Sequence, residues 1–317
     1  MEVHQRLEWI GEGLPLSSTE EEHLKDIQTD LREERDIVAY GNKIWKSAIE
    51  RGYTKIVSVL LEAGYPIHTL MYDSYSWGAL QAIHFACRLN NIDMVALLLD
   101  HGADIHRWDS NDRSPLMLAI SGYETLVSER EQLDLVKLLL ARGAKVNEVS
   151  PVRRFTPLHT ACSYERESIF RLLVEQGANV NAVTQFGYHV LHYLCGQIPI
   201  NFSMVTFVVD HGVNLHARTL DGHSVFQLGV FSGDNKLIHY LATQGANPHR
   251  VRDHPYYAEV YRKNYPALRT ILWCMIAKRR ADSSWIKLIP TELLRYLRSF
   301  LCVPATFDVI SAFQLYW

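Results

Sequence analysis

The sequence predicts an all-α fold: a solenoid of six or more stacked helix–turn–helix units, followed by a small C-terminal helical segment. Three observations carry this. A glycine closes an apolar run six times, at Gly64, Gly102, Gly143, Gly177, Gly212 and Gly245, with spacings of 38, 41, 34, 35 and 33 residues. A second signal keeps phase with the first: QAIHFAC, SPLMLAI, TPLHTAC, HVLHYLC and SVFQLGV. Between the two lie apolar residues at helical spacing, such as Ile92, Val95, Leu98 and Leu99. Self-similarity at a period of roughly 20–50 residues marks a repeat array, in which each unit buries its apolar face only against its neighbours.

Composition fits that reading. The chain has 317 residues, 48% hydrophobic and 21% charged, which is ordinary globular usage. No apolar run is long enough to cross a membrane as a helix, and no secretory leader is visible. A net charge of −3 gives no general attraction to nucleic acid or to acidic lipid. The five cysteines form no CxxC pair, which argues against a disulfide framework and against a cysteine zinc site. The chain reads as a soluble cytoplasmic or nuclear protein.

Residues 1–40 form an acidic N-terminal segment with 11 acidic and 4 basic side chains. Within it Thr19 and Glu22 have capping-box spacing, and Leu24, Ile27 and Leu31 share one helical face. A helix covering the first repeat is the expected role, because the end of a solenoid needs a polar lid. The array itself occupies residues 41–250. Its first unit has Lys43, Ile44, Trp45 and Lys46 where later units have a TPLH-like start, and the hairpin after it is lengthened between Leu70 and Ala79. The third unit carries extra residues in YETLVSEREQ, and the fifth carries them around Ile198 and Pro199. Such insertions fall on surface loops.

The fourth unit is the clearest: Thr156, Pro157, Leu158, His159 and Ala161, then Leu172, Leu173, Gly177, Ala178, Asn179, Val180 and Asn181. Period and motif together resemble the ankyrin repeat. Each residue type has a physical reason. Pro157 fits a first helical turn, where its missing N–H costs nothing. Thr156 is suited to satisfy the free amides there. Ala161 is small because neighbouring inner helices pack closely. Gly177 supplies the left-handed residue that ends the outer helix. His84, His159 and His192 occupy the histidine position of the motif and are expected to bond backbone groups of the hairpins.

Residues 251–317 form the C-terminal helical segment; from residue 246 onward the balance is 11 basic against 5 acidic. PALRTILWCMIAKRR and PTELLRYLRSFL read as helices separated by a polar turn at Ala281–Ser284. Two resemblances compete there. Ala267, Leu268, Ile271 and Ile276, then Pro290, Leu293, Tyr296 and Leu297, resemble the SOCS box of ankyrin repeat and SOCS box proteins; Leu272 stands where that family usually has cysteine. Ile289, Pro290, Leu293, Leu294, Leu297 and Phe300 resemble the start of an F-box. The SOCS-box likeness implies recruitment of elongins B and C with cullin 5; the F-box likeness implies the F-box adaptor with cullin 1. Either makes the chain a substrate receptor of a cullin-RING E3 ubiquitin ligase. The alternative is a plain ankyrin scaffold whose tail only caps the array.

No HExxH, GxSxG or phosphate-binding loop occurs, and no nucleophile, base and orienter stand at a readable spacing. The expectation is a non-enzymatic protein-interaction module with no cofactor, no metal, no nucleic-acid partner and no membrane partner. Partner binding is expected on the hairpin tips, where Trp108, Arg113, Arg153, Arg154, Phe155, Phe186 and Arg218 are freed from packing. Aromatic residues and arginine most often dominate interface energies, and arginines favour carboxylate or phosphate groups through forked hydrogen bonds.

Overall fold

The computed structural model of the chain describes residues 19–32, 37–73, 78–122 and 128–246. Among these residues it has thirteen helices and one short two-stranded hairpin. Helix α1 (Glu20–Arg32) precedes six helix pairs. These are α2 (Ile37–Glu50) with α3 (Thr54–Glu62), α4 (Ala82–Arg88) with α5 (Ile92–Asp100), and α6 (Pro115–Ser121) with α7 (Glu129–Ala141). They continue with α8 (Pro157–Ser163) and α9 (Glu167–Glu175), α10 (Val190–Gly196) and α11 (Phe202–Asp210), and α12 (Val225–Ser232) and α13 (Asn235–Thr243). Strands β1 (Met71–Asp73) and β2 (Gly78–Leu80) pair antiparallel in the lengthened first hairpin, with Met71 opposite Leu80. This is the repeated helix–turn–helix architecture that the sequence predicts. The tail resembling a SOCS box or an F-box lies outside the described residues.

The described chain falls into two compact units. Residues up to Leu194, with Ser203–Val213, form one; Cys195–Phe202 and the residues from Asn214 onward form the other. In the first unit the inner helices pack in succession, α2 on α4, α4 on α6 and α6 on α8, while α3 packs on α5 and α7 on α9. The inner helices approach closely because each has an alanine at the same register. Ala48, Ala86, Ala119 and Ala161 are all fully buried. In the second unit α12 packs on α13, and Gly229 takes the alanine position; a Cβ there would meet Leu241 Cδ1 at 3.0 Å.

Sequence fixes both ends of these helices. Ser114, Thr156 and Ser224 each accept a hydrogen bond from the backbone three residues on, satisfying amides that a helix leaves open. Pro115 and Pro157 stand in the first turn. At the other end the turn glycines have φ between +80° and +97° at positions 64, 102, 143, 177, 212 and 245. Two bonds close each of the first five turns; at Gly177 they run from Gly177 N–H to Val174 O at 3.0 Å and from Ala178 N–H to Leu173 O at 2.9 Å. That pattern is the Schellman motif. A Cβ built on Gly177 meets nothing within 4 Å, so glycine is needed there for its conformation rather than for space.

Helix α1 begins with the capping box read from the sequence. Thr19 N–H donates to Glu22 at 3.0 Å, and Glu22 N–H donates to Thr19 Oγ1 at 3.4 Å. Glu20 then accepts from the Lys55 and Ile56 amides at 2.8 and 3.4 Å, so an α1 carboxylate caps the start of α3. The insertion in the third pair lengthens α7, whose first turn is closed by a Ser128–Glu131 capping box.

In α4 and α8 the histidine of the motif links the inner helix to the hairpin that leaves its repeat. His84 Nδ1 accepts from the Gln81 amide at 3.1 Å, and its Nε2 lies 2.8 Å from the carbonyl oxygen of Arg107. His159 repeats this with Thr156 and, at 3.2 Å, with the Tyr188 carbonyl. The third pair has Met117 at this position, which has no hydrogen-bonding ring. There the Glu148 side chain, at the register of Arg107, turns inward and takes the hydroxyl hydrogen bond of Ser114. Burial drives the His159 pKa down to about 4 and raises that of Glu148 to about 7.

Two predictions follow from these turns and links. Gly177→Ala should lower the urea midpoint at unchanged slope, with a cost of about 1–2 kcal/mol for forcing a side chain into the left-handed region; an unchanged midpoint would contradict the turn assignment. The pH dependence has two opposed parts. His159 favours folding above its ordinary value of 6.5, and this is lost as pH falls from there through about 4. Glu148 favours folding fully below 4.5, and this is lost as pH rises through about 7. Glu148→Gln keeps the bond to Ser114 without an ionisable group. It should therefore be more stable than the parent on the alkaline side of 7, with the difference vanishing below 4.5; thermal melts across that range measure it.

Candidate protein-binding face

From the second to the fifth, each hairpin is built on one small buried polar residue. Asp109, Ser150, Thr184 and Thr219 are all buried, and each backbone amide there donates across the turn, to Arg113, Phe155, Tyr188 and His223 respectively, at 2.8–2.9 Å. The side chain of the same residue accepts the returning amide: Asp109 from Arg113 at 2.8 Å, Ser150 from Phe155 at 2.9 Å, Thr184 from Tyr188 at 3.3 Å and Thr219 from His223 at 3.1 Å. The chain thus returns in register, and the residues between are held out from the stack.

Within the first unit these tips are tied to one another. The Asp112 carboxylate accepts from the Val152 amide at 3.1 Å and the Arg153 amide at 2.8 Å, and the Arg153 carbonyl accepts from the Gln185 amide at 3.0 Å. Nearer the helices, Asn147 donates to Gly177 O at 2.9 Å and accepts from the Asn179 amide at 2.7 Å. Asn181 donates to Gly212 O at 3.2 Å. A surface tied in this way is largely ordered before a partner arrives, which lowers the entropic cost of binding.

The residues singled out from the sequence fall into distinct environments. Arg153, Arg154 and Phe186 are exposed and lie on adjoining, hydrogen-bonded tips. Trp108 is half-buried on the second hairpin. Arg113 is already engaged: its Nε and a terminal nitrogen both lie 2.9 Å from Asp109 Oδ2, so its guanidinium braces its own turn. Phe155 is half-buried, with its ring 5.6 Å from that of His159 and 5.8 Å from that of Tyr193. Arg218 belongs to the second unit and donates to the Gly222 carbonyl at 2.8 Å. The residues named from the tail, Leu268 to Phe300, lie outside the described residues.

Sequence reasoning missed several others. Val152 is 69% exposed beside Arg153. Leu70, Val149 and Val183 are exposed apolar residues at the register that Trp108 holds in its own hairpin, six residues beyond the turn glycine. That constant offset is a signal the sequence does contain. Tyr188 and Tyr193 are half-buried with ring centres 5.7 Å apart, and with Phe155 they make a three-ring cluster. Burial raises the Tyr193 pKa, with a hydrogen bond to the Thr184 side chain acting the other way.

Among the described residues no group of three or more His, Cys, Asp or Glu is placed to hold a metal ion, and no helix is long and apolar enough to cross a membrane. Cys87, Cys162 and Cys195 are buried, and burial pushes the Cys87 and Cys195 thiols up in pKa, away from the reactive thiolate.

Comparison with known proteins agrees with this architecture. The family model for ankyrin repeats matches residues 46–147 and 125–219, together more than half of the chain. The human ankyrin repeat and SOCS box protein 6 is 36% identical over 153 residues, which are 46% of this chain and 34% of that protein. An ankyrin repeat protein of variola virus is 27% identical over 164 residues, covering 50% of this chain and 28% of the viral protein. A Caenorhabditis elegans homolog of transient receptor potential cation channel subfamily A member 1 is 29% identical over 114 residues, 36% of this chain and 9% of the channel protein. The matched stretch is thus about a third or less of each relative's length, and the likeness to the SOCS box protein covers the ankyrin region. Turn glycines, capped inner helices and hydrogen-bonded hairpins all agree with the family match: the chain belongs to the ankyrin-repeat family.

Proposed function

We propose that this chain is the substrate receptor of a cullin-RING ubiquitin ligase, without catalytic activity of its own. The ankyrin array holds the protein substrate, and the C-terminal segment recruits the ligase. The observation that carries the binding half is the row of tied tips in the first unit, which present Val152, Arg153, Arg154 and Phe186 to solvent on a hydrogen-bonded frame. Apolar side chains held out from a core mark interaction sites when they cluster. The recruiting half is supported by the residues of the tail and by the 36% identity of the array to a SOCS box protein. In the SOCS-box form Leu268, Ile271, Leu272, Pro290, Leu293, Tyr296 and Leu297 contact elongins B and C with cullin 5. In the F-box form Leu294 and Phe300 matter more, and the partners are the F-box adaptor and cullin 1.

A second reading, that of a plain scaffold with a capping tail, is favoured by the viral and channel relatives, which share the array. Co-purification separates them. The full chain should recover elongins B and C with cullin 5, or the F-box adaptor with cullin 1, and Leu293→Asp should abolish that recovery. Recovery of neither set by a folded full-length chain would leave the scaffold reading in its place.

A further inference from the structure

The third and fourth hairpins differ from the others in their charge. On the third, Lys145, Arg153 and Arg154 are exposed, while its one acidic residue, Glu148, is buried against Ser114. The fourth, residues 178–189, has no Asp, Glu, Lys or Arg at all. The Asp112 carboxylate of the preceding hairpin lies close by, but it is occupied by the Val152 and Arg153 amides. The surface is therefore cationic at its rim. Beside it sits the ring cluster of Phe155, Tyr188 and Tyr193, with neighbouring centres 5.7–5.8 Å apart and each residue half-buried. Three rings from two hairpins and helix α10 converge there, where the motif of the clearest repeat has Thr160 in place of Tyr193.

We propose that this pair of hairpins takes an extended acidic segment of a protein partner that carries one apolar anchor residue. The anchor seats against Phe155, Tyr188 and Tyr193, and carboxylates flanking it pair with Arg153 and Arg154. A cationic anchor is disfavoured despite the aromatic faces, because both arginines stand beside the cluster and no exposed carboxylate on these hairpins compensates. An apolar anchor with anionic flanks satisfies both features: it covers half-exposed ring surface, and it meets planar guanidinium groups suited to carboxylates. This assignment rests on the reading of the hairpin face as the protein-binding surface, and it names the chemistry that surface selects.

The test uses the full chain and three fluorescein-labelled peptides, read by fluorescence anisotropy. One is a run of glutamates around a central tryptophan; in the second, lysines replace the glutamates; in the third, alanine replaces the tryptophan. The first should bind at least about tenfold more tightly than either control, a difference of about 1.4 kcal/mol. The double charge reversal Arg153→Glu with Arg154→Glu should weaken it by a similar factor and raise affinity for the lysine peptide above that of the parent chain, a gain that mere misfolding cannot produce. Equal binding of all three peptides, or indifference to the charge reversal, overturns the proposal while leaving ligase recruitment, read by co-purification, intact. Loss of recruitment with peptide selectivity preserved removes the receptor reading and leaves this site standing.

Discussion

From the second to the fifth, each hairpin depends on one buried side-chain oxygen at its base. A tight turn leaves backbone amides and carbonyls that no helix or sheet ladder can pair, and an unpaired buried donor costs on the order of 1–3 kcal/mol. Asp109, Ser150, Thr184 and Thr219 meet that demand four times in the same way, by donating their own amide across the turn and accepting the returning one. Three of the four are uncharged. Asp109, the exception, has its charge matched by the Arg113 guanidinium, whose terminal nitrogen lies at 2.9 Å. The chemistry at the base is constant, so side chains farther out that do not tie one tip to the next are open to selection for binding.

The same logic runs through the tip. The residue that closes the turn lies in the left-handed region in every hairpin from the second to the fifth: Asp112, Arg154, Gly187 and Gly222 have φ of 66°, 55°, 76° and 82°. Glycine takes this conformation at no steric cost, and aspartate tolerates it better than most side chains do. Asp112 uses the position, since its carboxylate ties down the next tip. Among the described residues Arg154 makes no such side-chain bond to offset its strain, and residues held in sparsely populated backbone regions cluster where function requires them. Its exposure beside Arg153 agrees with a role outside the fold.

How much of this was legible in the sequence follows from which interactions are local. Thr19 with Glu22, Thr156 with His159 and the glycine turns are short-range pairings, and a motif three to six residues long exposes them. The motif announces a histidine bond to the hairpin backbone, but not which carbonyl takes it: His84 reaches Arg107, 23 residues on, and His159 reaches Tyr188, 29 residues on. The exchange at Met117 was not readable. Its missing hydrogen bond is made by Glu148, a residue of another element that looks like one more surface carboxylate until the register of the hairpins is laid out. Arg113 misled for the same reason in reverse: its pairing with Asp109 is local, but only the turn geometry shows that the carboxylate faces inward. The ring cluster needed three segments to be brought together, and no single motif contains it. The tail's box-like residues lie outside the described residues, so the sequence remains their support.

The central claim is that the hairpin face of the first unit is a platform ordered before any partner binds. Amide hydrogen exchange on the full chain, without ligand, tests it most directly. The amides of Arg113, Phe155 and Tyr188, which return to the buried bases, and those of Arg153 and Gln185, which join one tip to the next, should exchange as slowly as amides within the neighbouring helices. Exchange of these five amides at the rate of an unstructured chain, alongside protected helices, would show tips that order only on binding, and would contradict the account.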